Sequence, residues 1–387
     1  MSKPRLIIAT TVSETLLTIL NGQPQFLSQY FHVGLVANPD KDFLSLSITG
    51  VEIYPIPMSR RINIPNDLVS LFLLVRLFIR IKPDIVHSFT PKAGLLCMLA
   101  AWICRVPNRA HTFTGLVWPT SGFLLKYLLI ALDKLLCFCS TTIIPESRGV
   151  LSDLKEKLIT RKSLQIIGHG NIAGVDVCHF SKGAPGLDLA SSLLRLNCGI
   201  ASSDFVFIYV GRLNREKGLK ELFSAYLKLQ RLCHLIVVGA LDKESPLDSY
   251  SLNILETHPR IHWLGFQKDI RPALNISQVF ILPSYREGFP NVLLQAGAME
   301  LPSIATDVSG SNELITHEFN GWLVPVKDDE ALAAAMLKSI NCSHETLYGM
   351  GLASRDRVVK RFERNAHLKR MLCFYRSLQR SKSETFV

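Results

Sequence analysis

Short runs rich in valine and isoleucine recur along this chain with helix-length segments between most of them, and they do so in two series. The first comprises "LIIAT" (6–10), "FHVGLVAN" (31–38), "VEIYPIP" (51–57), "DIVHSF" (84–89), "RAHTFTG" (109–115), "TTIIPES" (141–147) and "SLQIIG" (163–168). The second comprises "DFVFIYVGR" (204–212), "HLIVVGA" (234–240), "IHWLGF" (261–266), "VFILPS" (279–284), "PSIATDV" (302–308) and "GWLVPV" (321–326). Continuous apolar strands alternating with helices predict parallel sheets covered on both faces. At 387 residues the chain is too long for one ordinary core. Two series therefore predict two doubly wound α/β domains, 1–170 and 171–360, with a helical segment 361–387 packing back across them. The glycine-rich stretch 168–186, short of periodic apolar residues, reads as the connection. In such folds ligands bind beyond the carboxyl ends of the strands, so the loops after the strands are where chemistry belongs.

Charge narrows the partners. The formal net charge is +11, with 19 Lys and Arg against 11 Asp and Glu in residues 1–185 and 24 against 21 in residues 186–387. The first half should therefore meet something anionic. Nucleic acid is not expected: there is no helix-turn-helix signature, zinc-finger spacing or RNP-like strand. The basic residues lie instead among apolar helical runs, "NDLVSLFLLVRLFIRIKPD" (66–84) and "SGFLLKYLLIALDKLLCFCS" (121–140). Such runs suit helices lying in a lipid interface, or core helices with a snorkelling basic edge. Neither offers some 18 unbroken apolar residues, so neither reads as a membrane span. The N-terminal "MSKPRLIIATTVSETLL" reads as a first strand, since no small-residue cleavage site follows its short apolar run. Nine scattered cysteines without a C-x-x-C pair read as buried free thiols of a reducing cytosol.

Three loops carry the candidate chemistry. In "YVGRLNREKGLKELFSAY" (209–226), Gly211 turns the chain after a strand and a helix begins near Gly218, leaving Arg212 and Lys217 at the sheet edge. Two cations beside a helix N-terminus suit phosphate groups; alone they would be ordinary solvated loop charges. In "SYREGFPNVLL" (284–294), Pro290 is expected at the first helical position, freeing the amides of Asn291 and Val292 for phosphate oxygens. Glu287 precedes that helix, able to accept from sugar hydroxyls, and Gln295 follows within reach of a ribose. "DVSGSNELI" (307–315) adds a third small-residue loop with Ser309, Gly310 and Ser311.

With these residues in place, the second half resembles the donor domain of the retaining glycosyltransferases of family 4. Their pattern E-G-x-P-x-x-x-x-E-A-x-A-x-G-x-P stands here as Glu287, Gly288, Pro290, Gln295, Ala296, Ala298 and Pro302, and G-R-x-x-x-x-K-G as Gly211, Arg212, Lys217 and Gly218. In the first half "TTVSETLLTILNGQPQFL", "PKAGLLCMLAAWICRVPNRAHTFTGL" and "GNIAGVDVCHF" resemble the branch that builds capsular and O-antigen polysaccharides. The resemblance runs over nearly the whole chain. It implies the GT-B fold, two Rossmann-like doubly wound parallel-sheet domains facing across a cleft. It further implies that Arg212 and Lys217 bind the donor's diphosphate, and that Glu287 with the amides around Gly288 and Phe289 grips the transferred sugar. Asn291 and Val292 would give amides to phosphate, Gln295 would hold the ribose, and His111 would face the donor sugar across the cleft.

The implied activity is transfer of a hexose or N-acetylhexosamine from a nucleotide diphosphate sugar, UDP-linked by preference, to a polyprenyl-diphosphate-linked saccharide. Retention is implied, with no cofactor and no metal: no D-x-D lies on a strand-end loop, and the "DD" at 328–329 opens a surface helix as a cap. The place of action would be the inner face of the cytoplasmic membrane, with the loop 10–23 as the lipid-side contact. Two departures from the pattern stand out: Gln295 replaces the second glutamate, and Glu300 stands where glycine is usual. An amide still accepts from one ribose hydroxyl, at a loss of roughly 1 kcal/mol. Competing readings are a nucleotide-sugar 2-epimerase on a similar fold and a non-catalytic donor-binding subunit. A nicotinamide dehydrogenase is disfavoured, as no G-x-G-x-x-G follows the first strand.

Overall fold

The computed structural model describes residues 3–60, 62–229, 233–243 and 245–380. Residues 381–387 of the expected tail lie outside these. The chain divides into two units, one running through Ala173 and resuming at Asn365, the other Gly174–Arg364. The sequence alone had placed these divisions at 170/171 and 360/361.

The first unit holds β1 (Arg5–Ala9), β2 (His32–Ala37), β3 (Val51–Pro55), β4 (Ile85–Ser88), β5 (Asn108–Phe113) and β6 (Thr142–Pro145). The second holds β7 (Phe205–Val210), β8 (Cys233–Val238), β9 (Ile261–Trp263), β10 (Val279–Leu282), β11 (Ser303–Thr306) and β12 (Gly321–Val324). Each set forms one six-stranded sheet, in the orders β3-β2-β1-β4-β5-β6 and β12-β11-β10-β7-β8-β9. Every pairing is parallel. Counted from its own first strand, each sheet has the order 3-2-1-4-5-6, with a switch point between its first and fourth strands. The central strands are buried on both faces, as their unbroken apolar runs require: Leu6, Ile7, Ile8, Val206, Phe207 and Ile208 are all closed to solvent.

The connecting helices start where short polar side chains can accept from backbone amides. Asn63 caps the Ile64–Ile81 helix through the Asn66 amide, Ser147 caps Arg148–Glu156 through that of Val150, and Asp328 caps Asp329–Asn341 through that of Ala331. Asp328 is thus a cap, as the "DD" pair suggested.

Four expectations are corrected. "SLQIIG" is no seventh strand; only Leu164 bridges Ile143, because β6 already ends the sheet and a four-residue strand offers little edge. The tail helix begins at Arg364 and not at 361: the chain breaks at Glu363, which bridges Val175 where the chain passes back to the first unit, between helices His344–Phe362 and Arg364–Arg380. The loop 10–23 turns Leu16 and Leu20 into the core and leaves Val12, Leu17 and Ile19 half-buried, so it offers no exposed apolar face to lipid. All nine cysteines are free, but Cys178 and Cys373 are exposed and only Cys97, Cys137, Cys139 and Cys233 are fully buried.

Candidate active site

Three loops leave the carboxyl ends of the adjacent strands β7, β10 and β11, and glycines let their backbones touch. Gly218 has φ +67°, and a Cβ there would stand 2.0 Å from the Pro283 carbonyl oxygen, so the β7 loop rests on the β10 loop. Gly310 has φ +78°, and its Cβ would meet the Gly288 oxygen at 2.5 Å, so the β11 loop rests on the β10 loop from the other side. Only glycine meets both the left-handed conformation and the close approach.

Charged side chains then cross between the loops. Lys217 Nζ lies 2.5 Å from Glu287 Oε1, and Arg286 Nη2 lies 2.7 Å from Glu216 Oε2. Neighbours in one loop thus pair with neighbours in the other in opposite charge order. The Tyr285 amide donates to the Glu216 carbonyl at 2.8 Å, and the Tyr285 hydroxyl donates to the Glu221 carboxylate at 2.7 Å. Arg212 is exposed at the rim, its Nη1 3.2 Å from Asp242 Oδ2. Its backbone oxygen accepts from the hydroxyl of the fully buried Tyr209 at 2.9 Å. Burial, then the nearby Glu287 charge, pushes that phenol well above its usual range, so it stays a neutral donor.

Both cations therefore have carboxylate partners here. Lys217 and Glu287 are largely enclosed, with side chains 22% and 11% exposed, whereas Arg212 keeps nearly half of its surface in water. An anion with two phosphates can replace both carboxylates, drawing Lys217 from Glu287 and leaving Glu287 as an acceptor for hydroxyl groups. The hydroxyls of Ser284 and Ser311 are buried beside these turns with no hydrogen-bond partner in the protein.

The Asn291–Ala298 helix begins one residue later than expected. Pro290 is its N-cap, at φ −73° and ψ 108°, and no side chain caps it. Asn291 and Gln295, four residues apart, share one half-buried face of that helix. Phe289 packs its ring against Phe362 at 5.2 Å and is buried, so only its backbone is offered to a ligand. Among the described residues no group of three or more His, Cys, Asp or Glu side chains converges as a metal site.

The structure thus gathers Gly211, Arg212, Lys217, Glu287, Gly288, Phe289, Asn291, Val292, Gln295 and Gly310 on adjacent strand ends of the second unit. His111 is a correction. It lies within β5 of the first unit, 1% exposed, its Nδ1 2.9 Å from Ser88 Oγ and its Cε1 2.4 Å from where a Cβ on Gly94 would be. A ring so enclosed has no open face for a sugar, and burial pulls its pKa down to about 3, keeping it neutral. Beside it His87, also buried, bridges Tyr375 Oη at 2.7 Å and Thr112 Oγ1 at 2.8 Å, joining the last helix to the sheet. Sequence reasoning missed Asp242, Glu216 and Arg286. The last two were visible as a reversed charge order, Glu216-Lys217 against Arg286-Glu287.

Comparisons with known proteins agree with this geometry. The family described as "Glycosyl transferases group 1" matches residues 204–341, and "Glycosyl transferase 4-like domain" matches 28–170. The capsular polysaccharide biosynthesis glycosyltransferase CapM of Staphylococcus aureus is 30% identical over 373 residues, 94% of each chain. An Escherichia coli UDP-Gal:α-D-GlcNAc-diphosphoundecaprenol α-1,3-galactosyltransferase is 27% identical, over 86% of this chain and 89% of that one. Anabaena HepE, solved with UDP and glucose, superimposes with a TM-score of 0.77 at 18% identity, covering 97% of this chain and all of the other. From the loops, the two matched domains and the near full-length likeness, this chain belongs to the GT-B glycosyltransferases of family 4.

Proposed function

We propose that this protein transfers a hexose or N-acetylhexosamine from a UDP-linked sugar to a polyprenyl-diphosphate-linked saccharide, with retention, at the inner face of a bacterial cytoplasmic membrane. The observation that carries the proposal is the Lys217–Glu287 pair, which places a phosphate-binding cation and a hydroxyl acceptor on touching loops at a sheet's carboxyl edge. The E. coli relative's name specifies a UDP-galactose donor, a diphosphoundecaprenol-linked acceptor and an α linkage, and a Campylobacter jejuni relative, 24% identical, is named for a similar α-1,3 transfer. An α product from an α-linked sugar nucleotide is a retaining outcome, which supports that part of the reading.

In the proposed step the bond between the sugar C1 and the diphosphate oxygen breaks. A bond from C1 to the acceptor oxygen forms on the same face, and the acceptor's proton passes to the departing diphosphate oxygen. Lys217 and Arg212 neutralise the charge growing on that leaving group, an effect worth about 10²–10³ in rate for one well-placed donor. Glu287, released from Lys217, accepts from the sugar hydroxyls and holds C1 in line with the acceptor. The reading assigns no part to a metal or cofactor.

The test is turnover of UDP- and GDP-sugars by the purified protein in detergent, with and without polyprenyl-diphosphate-linked saccharide. One UDP-sugar should be consumed only when the lipid is present, with an α-linked product and no effect of EDTA. Lys217→Ala should lower the rate about 10²–10³-fold, and Glu287→Ala should abolish it. An isomerised sugar nucleotide formed without acceptor would make the protein an epimerase. Donor binding without any turnover would make it a binding subunit.

A further inference from the structure

The Phe123–Cys139 helix of the first unit is inside out. Lys126 and Asp133 are turned partly inward: the Lys126 ammonium lies 5.9 Å from the centre of the Trp118 ring, and burial pushes the Asp133 carboxyl up to about 7. Facing outward instead are Phe123, Leu124, Tyr127, Leu128, Leu135 and Phe138, all exposed and recurring at helical spacing. Lys134 is the one exposed charge on that helix. The Ile64–Ile81 helix repeats the inversion. Leu68, Phe72 and Ile79 are exposed, Asp67 is drawn into an ion pair with Lys92 at 2.8 Å, and the exposed charges are Arg76 and Arg80.

Both helices pack on the Pro91–Ile103 helix, which lies between them over the sheet. At its end the exposed Trp102 meets Phe138, ring centres 6.0 Å apart, so the outer surfaces join. Single exposed apolar residues are ordinary on a protein surface, whereas a contiguous face of them marks a partner. Every exposed charge on the two outer helices is basic, and residues 1–185 carry most of the chain's positive excess. The partner is therefore apolar within and anionic at its surface. A second copy of the chain would set Arg76, Arg80 and Lys134 against cations of its own kind, whereas anionic headgroups neutralise them. Among the described residues no helix is long and apolar enough to cross a membrane, which leaves lying on one.

We propose that the Ile64–Ile81 and Phe123–Cys139 helices form the face by which the first unit docks on an anionic lipid bilayer. Phe123, Leu124, Leu128 and Phe138 enter the interface, while Arg76, Arg80 and Lys134 reach the headgroup phosphates. The inference deepens the transfer reading above, on which the identity of the membrane rests. It moves the lipid contact from the loop 10–23, whose Leu16 and Leu20 are buried, to these helices.

Flotation of the full-length protein with vesicles tests it, with neither donor nor acceptor present. The protein should float with phosphatidylethanolamine–phosphatidylglycerol vesicles and bind pure phosphatidylcholine vesicles about tenfold more weakly or worse. Leu124→Glu with Leu128→Glu should weaken flotation at least about tenfold, each losing a side chain from the interface. Leu193→Glu with Leu196→Glu, on an exposed face of the Leu187–Cys198 helix in the second unit, should leave it unchanged. Thermal melts by circular dichroism show whether both variants fold. A wild-type protein that stays unbound with both vesicle types overturns the proposal, and so does a folded Leu124/Leu128 variant that floats like wild type. A wild-type dimer that this variant splits, with no vesicle binding, gives the face to a second copy instead. Transfer in detergent is read separately: flotation without transfer defeats only the activity, and transfer without flotation defeats only the docking face.

Discussion

The two sheets share one strand order and differ in what stands beyond their carboxyl ends. In the second unit the loops after β7, β10 and β11 carry crossed ion pairs, with Lys217 and Arg212 held by carboxylates that an anion can displace. In the first unit the corresponding strand ends are lined by hydroxyl groups, and the charges of those loops, Glu14 and Lys92, are paired with Arg60 and Asp67. Thr11 and Thr90 hydroxyls meet at 2.7 Å, and the Thr11 hydroxyl accepts from the Ala93 amide at the start of the next helix. His87 and His111 lie buried in hydrogen bonds to hydroxyl groups. A common topology therefore fixes where a ligand can bind, while a few loop residues decide whether that place attracts charge.

Acid offers the largest way to break this contrast. The folded pKa of His111, about 3, lies below its unfolded value near 6.5, and that of His87 is also held well below by burial and by His111. The unfolded chain therefore takes up these protons first. Stability is fully present above about pH 6.5 and declines below it, by about 1.4 kcal/mol per pH unit for each histidine. The two together should remove on the order of a few kcal/mol from the first unit by pH 5. In the second unit His234 and His262 are lowered too, but both lie toward the sheet edge with more access to solvent, so their contribution is smaller with the same sign. Hydrogen exchange resolved by strand should show β4 and β5 losing protection on acidification before β7 and β10. Parallel loss in both units would erase the difference.

Much of this was legible in the sequence, because buried parallel strands are apolar along their whole length and turns that combine positive φ with close backbone approach need glycine. The strands of both sheets and the three site loops follow from those two demands. What escaped was decided by contacts distant in sequence. Nothing near His111 marks it as enclosed, since its surroundings come from Ser88 and Gly94 on other elements. Asp242 reaches Arg212 from the loop after another strand. The outward face of the Phe123–Cys139 helix was ambiguous for a related reason. An apolar stripe has the same period whether it meets a core or a membrane, and only packing shows which way it points.

Gln295→Glu sharpens the contrast by adding a carboxylate to the edge that already carries charge. Where the side chain meets the ribose, a charge-assisted bond should replace a neutral one, tightening UDP-sugar binding by roughly 1 kcal/mol, or about five- to tenfold in Kd. Calorimetric titration of wild type and variant with the same UDP-sugar reads this directly. Unchanged affinity would separate residue 295 from the ribose.

The smallest effect concerns the other departure from the family pattern, at the opposite edge of the same sheet. Glu300 precedes β11 and sits at φ +56°, a left-handed conformation that glycine adopts without strain and other residues hold at a cost of about 1 kcal/mol. The backbone there is imposed by packing: a Cβ on Gly351 would stand 2.2 Å from the Glu300 carbonyl oxygen, so the turn cannot relax. Against the strain, the Glu300 carboxylate lies 3.8 Å from both Lys182 Nζ and Arg355 Nε, long contacts worth a few tenths of a kcal/mol. Glycine also adds freedom to the unfolded chain, which offsets part of the relief. Glu300→Gly should therefore stabilise the second unit by about 0.5 kcal/mol in urea unfolding and leave turnover within about twofold of wild type. Destabilisation beyond about 1 kcal/mol would mean that the Lys182–Glu300–Arg355 cluster outweighs the strained turn, and that the glutamate is held there for its charge.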